Sequence, residues 1–342
     1  MAESQPPVLE LQPPLLNSAN PWATTLEDLR ALYACTSTGA VTTRTTLIKG
    51  FPHNSAKHQH IFFNAGDHSV VKDPNVQGNA SLNSLGYSPI PLEDYLGFIR
   101  TIANEQPSAS PLTKYFIISV TGTPDEVAEC YKLIASAKGS IPVPLAMEVN
   151  LSCPNIPGAP PPAYSGPALA KYLAAVSGQI ASSPDLPHLP FGLKTPPYTH
   201  AAEYQTLVDA LLGSAEAGGG AAPLSFITAT NTLGSCLVLD YDDYPASGVL
   251  GASLPGLGLG GMAGAPLHPL ALGNVATIRR MLDEHPGPLG HVRIIGVGGV
   301  LDAGGYRRMR AAGASAVAIA TGLGLKGVGI FGEVERGLEG NW

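Results

Sequence analysis

At 342 residues, 44% of them hydrophobic and only 13% charged, the chain has enough apolar material to bury a large core. The net charge of −7 comes from 26 acidic and 19 basic residues with Lys and Arg scattered, which excludes a basic patch for nucleic acid or a membrane surface. Met1 to Pro14 carries neither an apolar signal core nor an Arg-rich presequence, no apolar run nears membrane-span length, and Cys35, Cys130, Cys153 and Cys236 lack Cys-x-x-Cys spacing, so a cytoplasmic protein with free thiols and no metal site is expected.

In chain order, Pro14 to Ala19 reads as a short apolar strand, closed by Asn20-Pro21. Thr25 with Asp28 resembles a capping box, Leu26, Leu29 and Leu32 share one face of the helix that follows, and Gly39 ends it. Ala40 to Thr45 is the next strand, running out into Thr42-Thr43-Arg44-Thr45-Thr46, whose hydroxyls and guanidinium are unusual beside a core. From Leu47 to about Asn79 a long polar stretch holds His53, His58, His60 and His68 and reads as a functional excursion. His58-Gln59-His60 has no acidic or Cys partner nearby and reads as solvated rather than metal-binding. Ala80 to Tyr87 is turn-rich, and a helix from about Pro91 to Ala103 follows with Leu92, Tyr95, Leu96 and Ile99 as its core stripe.

Strand and helix then alternate. Tyr115 to Val120 is a strand, and Thr123-Pro124-Asp125-Glu126 opens a helix to about Ala137, on which Cys130 reads as inert. The run Ala146-Met147-Glu148-Val149-Asn150 is a buried parallel strand that stops at Leu151-Ser152-Cys153-Pro154-Asn155-Ile156-Pro157-Gly158. An isolated Cys-Pro pair would be a buried thiol before a turn. Asn150, Ser152 and Asn155 beside it need partners that a polar ligand can supply. A proline-rich loop from Pro154 to Pro162, a helix from about Gly166 to Ile180, the strand Phe191 to Thr195 with Lys194, a helix Ala201 to Leu212 and the strand Ser225 to Asn231 come next. A Gly-rich loop from Ser247 to Gly264 leads to a helix from about Leu270 to Leu282, then the strand Arg293 to Val300, a helix Asp302 to Ala312 and a last strand Ala316 to Thr321.

The eight strands, near residues 15, 40, 115, 146, 191, 225, 293 and 316, describe a (β/α)8 TIM barrel over 1–342 as one domain, with the excursion at about 47–79. Arg44, Asn83, Asn150, Cys153, Lys194, Asn231, Gly298 and Thr321 all lie at or just beyond carboxyl ends of strands and should converge on one mouth. Gly296, Gly298 and Gly299 with Ala320-Thr321-Gly322 one strand later match the place where barrels hold phosphate on backbone N–H groups.

Asn150-Leu151-Ser152-Cys153-Pro154-Asn155-Ile156-Pro157-Gly158 resembles the signature of the class 1 dihydroorotate dehydrogenases, FMN enzymes with this barrel. Ser81 to Gly86, Gly192 to Tyr198, Thr230 to Gly234 and Ile294 to Gly299 resemble the family in the same order. The Asn83 motif and the loop from Pro157 to Tyr164 are most similar to the fumarate-using class 1A branch, whose members are homodimers. The resemblance implies Cys153 as the base that takes a proton from C5 of dihydroorotate while hydride leaves C6 for flavin N5. It implies Asn83, Asn150, Asn155, Asn231 and Thr232 on the pyrimidine, with Leu85 and Gly86 at its carboxylate, and Lys194 at the flavin's pyrimidine end. Ser18, Ala19, Arg44, Asn150, Gly261, Gly298, Gly299, Ala320 and Thr321 complete the implied FMN contacts.

Departures are local. Thr42-Thr43-Arg44-Thr45-Thr46-Leu47 is one residue shorter than the family's Thr-Lys-Ser-Ser-Thr-Leu, so either Arg44 or Thr43 takes the place of its lysine. The excursion after it is longer than the family's, and Ala320 stands where the family has glycine. Three rivals share these residues: a related flavin oxidoreductase on another cyclic amide or enone, a cofactor-free lyase or aldolase using Lys194 as a Schiff base, and a flavin-binding module without turnover.

Overall fold

The computed structural model describes residues 5–73, 78–106, 113–155, 160–240 and 251–342. Its strands are β1 (Leu15–Asn17), β2 (Ala40–Thr42), β3 (His60–Phe63), β4 (Ala80–Asn83), β5 (Tyr115–Val120), β6 (Leu145–Asn150), β7 (Phe191–Thr195), β8 (Phe226–Ala229), β9 (Leu233–Leu237), β10 (Leu259–Gly264), β11 (Arg293–Val297) and β12 (Ala316–Ile319). Its helices are α1 (Leu26–Ala34), α2 (Leu92–Asn104), α3 (Pro124–Ala137), α4 (Gly166–Ser182), α5 (Ala201–Ala217), α6 (His268–Asp283), α7 (Pro286–Leu289), α8 (Ala303–Ala311), α9 (Thr321–Lys326) and α10 (Gly329–Leu338). Ile156, Pro157 and Gly158 of the signature, the start of the loop at Ser247 and part of the excursion lie outside the described residues.

Alternation within the short strands builds the closed parallel barrel, ordered β1-β12-β11-β8-β7-β6-β5-β2. Leu16, Ala40, Ile117, Ala146, Phe226 and Ile295 turn into the barrel, where Leu9 and Leu11 join them. Their neighbours Leu15, Val41, Phe116, Ile118 and Met147 turn outward into the layer shared with the helices. All eight barrel strands fall where the sequence puts them. The ends are shorter than expected because polar mouth residues leave the ladder early: β2 stops at Thr42, β8 at Ala229, β11 at Val297, and Thr321 already begins α9.

Helix starts follow their caps. Asp28 N–H donates to Thr25 Oγ1 at 3.1 Å while Thr25 N–H donates to Asp28 Oδ2 at 2.9 Å. Thr123 and Glu126 make the same reciprocal pair at α3, with Pro124 at its first position.

A second sheet, antiparallel and ordered β3-β4-β10-β9, corrects the sequence reading at three places. The excursion contains β3, the turn-rich segment at Ala80 is β4, and the Gly-rich loop ends in β10. Glycine allows the close pairing: a Cβ on Gly260 would come within 2.5 Å of the Asn83 carbonyl oxygen, and one on Gly261 within 2.2 Å of Thr232 Oγ1. Phe63, Ala80, Leu82, Val238 and Leu254 form the core of this sheet region. It stands at the carboxyl ends of the barrel strands, where Ser81 Oγ meets Thr321 Oγ1 at 2.9 Å.

Lys114, next to β5, ties the barrel to the end of α1. Its ammonium shares its three protons among the carbonyls of Leu32, Tyr33 and Cys35 at 2.8, 3.0 and 2.7 Å and Thr38 Oγ1 at 2.6 Å. Lys114→Met keeps most of the apolar stem but removes these bonds, leaving the Tyr33 carbonyl without its partner while Leu32 and Cys35 keep those from Cys35 N–H and Thr38 Oγ1, so it is expected to cost about 1–3 kcal/mol in a denaturant melt.

Candidate active site

The strand ends converge on two adjoining cavities. The larger, of about 750 Å³, has Arg44, Asn83, Asn150, Cys153, Asn155 and Asn231 in its wall. The second, of about 440 Å³, lies between Lys194, Thr230, Gly298 and Gly299, and both cavities share Ala19, Asn231, Thr232, Ala320 and Thr321. Leu85 and Gly86 line the first, and Ser18 lines the second. Of the residues expected at the site, Gly261 is not among those lining either cavity. It holds Asn83, whose Nδ2 donates to its carbonyl at 3.1 Å, and Ala263 and Gly264 of the same strand reach the cavities instead.

Buried hydrogen bonds fix the orientation of each amide. Ser119 Oγ donates to Glu148 Oε1 at 2.8 Å, so its contact with Thr45 Oγ1 at 2.9 Å is one in which Thr45 donates. Thr45 Oγ1 then accepts from Asn150 Nδ2 at 2.9 Å. This leaves Asn150 Oδ1 as the acceptor for Ser152 N–H and Oγ–H and for Asn231 Nδ2, at 3.2, 3.0 and 3.2 Å. The second proton of Asn231 Nδ2 goes to Ser152 Oγ at 3.0 Å, and its Oδ1 accepts from Thr232 N–H at 2.8 Å. Asn155 Nδ2 spends both protons, on Asn83 Oδ1 at 2.9 Å and on the Leu85 carbonyl at 3.0 Å.

What remains free is a set of both kinds: the Asn155 acceptor oxygen and one amide proton each on Asn83 and Asn150. Such a set suits a small flat molecule bearing carbonyls and ring N–H groups.

The electrostatics are one-sided. Arg44 lines the first cavity and Lys194 the second, and no Asp or Glu is among their described lining residues. In a chain of net charge −7 this is a local positive field suited to an anion. Arg44 is half-buried, which lowers its pKa from the ordinary guanidinium value, and it donates to the Gly86 carbonyl at 3.2 Å. Thr43 is fully buried, accepts from Ser119 N–H at 3.1 Å and is not among the cavity-lining residues. Arg44 is therefore the one of the two that reaches the mouth.

Lys194 is 3% exposed. Its Nζ bonds to Ser18 Oγ at 2.9 Å; burial lowers its pKa, opposed by the charges of Glu148 and Cys153. At Cys153, close-packed surroundings push the thiol pKa up, opposed by the Asn155 N–H, the Tyr87 hydroxyl, Lys194 and Arg44. Cys130, by contrast, is fully buried away from the mouth, and its thiol is pushed up to about 12.

In the second cavity Gly298 and Gly299 have φ of 137° and 66°, and a Cβ on either would come within 2.6 Å of α6 or of Gly264. His268 locks this turn. Arg308 Nε–H donates to His268 Nε2 at 3.0 Å, so Nδ1 carries the proton given to the Gly298 carbonyl at 2.7 Å.

The profile of the family described as dihydroorotate dehydrogenase matches residues 70–341. The chain belongs to the dihydroorotate dehydrogenase family. The enzyme named dihydroorotate dehydrogenase (fumarate) of Trypanosoma cruzi is 31% identical over 94% of this chain and 87% of its own length. Dihydroorotate dehydrogenase A (fumarate) of Lactococcus lactis is 26% identical over 96% of this chain and 90% of its own. The crystal structure of ligand-free dihydroorotate dehydrogenase from Eimeria tenella superposes with a TM-score of 0.69 at 17% identity, covering 95% of this chain and 83% of that one, which shows the shared fold. The barrel, the family and the oxidoreductase class expected from sequence are borne out.

Trp22, His60, Tyr87 and Glu148 are site residues that the sequence reading left without a task. His60 was read as solvated; it is exposed, yet it lines the mouth with its ring edge-on to Trp22 at 5.4 Å. Glu148 did carry a signal, since a carboxylate inside an apolar strand must find partners. Glu148→Leu would unpin the Ser119-Thr45-Asn150 chain and remove the nearest acid from Lys194, with an expected loss of about 2–4 kcal/mol in a denaturant melt.

Proposed function

We propose that this chain oxidises dihydroorotate to orotate, with the pyrimidine in the first cavity, FMN held chiefly by the second, and fumarate as the electron acceptor. The observation that carries this reading is the convergence of the Cys153 thiol with Asn83, Asn150, Asn155 and Asn231 on one positively charged cavity. The names of the relatives from Trypanosoma cruzi and Lactococcus lactis support it.

The residues present fit a flavin mononucleotide. The Lys194 ammonium is buried with Ser18 as its hydrogen-bond partner, and the buried Thr230 hydroxyl has none, so this cavity offers donors to a ligand rich in acceptors. The Gly298-Gly299 turn and Thr321 leave backbone room at the far end for a phosphate. When bound, FMN supplies a two-electron acceptor for hydride from C6 of the substrate and a donor to fumarate.

The chain's own residues do the rest. Asn155 Oδ1 accepts a ring N–H, the free amide protons of Asn83 and Asn150 meet carbonyl oxygens, and Arg44 offers its remaining guanidinium protons to the carboxylate. Cys153 Sγ, as thiolate, takes the proton from C5. Lys194 holds positive charge where negative charge develops.

Cys153→Ala is expected to keep bound flavin while slowing its reduction by dihydroorotate about 10²–10⁴-fold, read by stopped-flow absorbance. Reduction as fast as wild type would remove Cys153 from the role of base. The pH dependence follows from the raised thiol pKa. Only the thiolate accepts a proton, so below that pKa the reduction rate climbs with pH through the neutral range into the alkaline. A rate falling over that interval would contradict the assignment.

A further inference from the structure

The excursion between β2 and β4 grips both ends of the loop Ser84 to Ser88, which brings Leu85, Gly86 and Tyr87 to the first cavity. At one end the Gln59 carbonyl accepts from Ser84 N–H at 2.9 Å, the Ser84 hydroxyl donates to the Lys57 carbonyl at 2.7 Å, and Gln59 N–H donates to Ser84 Oγ at 3.2 Å. At the other, Phe51 N–H donates to the Ser88 carbonyl at 2.8 Å, and Ser88 N–H donates to the Thr45 carbonyl, beyond the end of β2, at 2.7 Å.

Between these anchors the Phe51 ring closes on Gly86. A Cβ on Gly86 would come within 2.2 Å of Cε1 and 2.4 Å of Cζ of that ring, so glycine is what admits the contact. The ring is itself packed by His58 and Tyr87, with centroids 5.2 and 5.7 Å away. On its other side the Gly86 carbonyl accepts from the Arg44 guanidinium at 3.2 Å. Arginine has a long side chain with much rotamer freedom, and a group fixed beforehand loses less of it when a ligand binds. The Gly86 carbonyl therefore aims Arg44, and the excursion fixes that carbonyl.

We propose that the excursion sets the affinity of this site for the substrate carboxylate, with Phe51 a positioning residue that holds Gly86 and, through its carbonyl, the Arg44 guanidinium. The proposal rests on reading Arg44 as the partner of that carboxylate. Neither Phe51 nor Ser84 is among the residues lining the two cavities, so both act from behind the loop.

The test is a double-mutant cycle on the affinity of the purified flavoprotein for orotate, read from the shift of the flavin absorbance as orotate binds. Phe51→Ala should weaken orotate about five- to tenfold, because Arg44 must then be ordered on binding. Arg44→Met should weaken it by about tenfold or more. Adding Phe51→Ala to Arg44→Met should cost less than about twofold further, since no guanidinium is left to aim. Equal losses from Phe51→Ala with Arg44 present and with Arg44 replaced would mark a structural role and overturn the proposal. Unchanged affinity in a Phe51→Ala protein that melts like wild type would overturn it as well. If Phe51→Ala does not fold, Ser84→Ala takes its place in the cycle: it unhooks the loop from Lys57 without emptying the aromatic contact, and the same outcomes decide. The Arg44→Met arm keeps the two readings apart. Orotate bound by Arg44→Met as tightly as by wild type would remove the carboxylate from Arg44 and overturn the underlying reading, whereas a loss there without coupling to Phe51 or Ser84 overturns this proposal alone.

Discussion

An ammonium buried at the end of β7 is the constraint on which the mouth depends. Lys194 is nearly inaccessible, and taking such a charge out of water costs several kcal/mol unless partners offset it. The Ser18 hydroxyl supplies one bond, and the charges of Glu148 and Cys153 favour the protonated form from further off. Glu148 in turn polarises Ser119, Thr45 and Asn150, so the buried carboxylate below the mouth sets the direction of the amide that lines the cavity above it. Through Glu148 the electrostatics at Lys194 are therefore joined to the orientation of the Asn150 amide.

The second sheet completes what the barrel begins. Barrel strand ends present Arg44, Asn150, Cys153, Lys194 and Asn231, but the opposite wall comes from β4 and β10. Asn83 reaches the cavity because β4 pairs with β10 through Gly261, whose missing side chain also makes room for Thr232. A side chain at Gly261 would press on Thr232 and Pro154, which line the first cavity, although the glycine itself lines neither cavity.

The barrel was legible because each of its strands is a short apolar run closed by a polar or turn residue, a pattern set locally. The polar ends of those runs named the mouth for the same reason. The second sheet was not legible. Leu259 to Gly264 has the composition of a loop and becomes a strand only through pairing with Ala80–Asn83 and Leu233–Leu237, partners far off in the chain. Tyr87 and Trp22 were missed likewise, since a lone aromatic in a turn shows nothing of which cavity it faces. Arg44 was legible as an oddity. Structure was needed to bury Thr43 between the barrel strands and to turn Arg44 into the mouth.

The central claim is that dihydroorotate delivers its electrons at this mouth, and an anaerobic titration of the purified protein with dihydroorotate tests it most directly. The account predicts that the flavin absorbance near roughly 450 nm bleaches and returns when fumarate is added. A flavin band that persists at saturating dihydroorotate would contradict the assignment of substrate and turn attention to Arg44 and the β3 excursion.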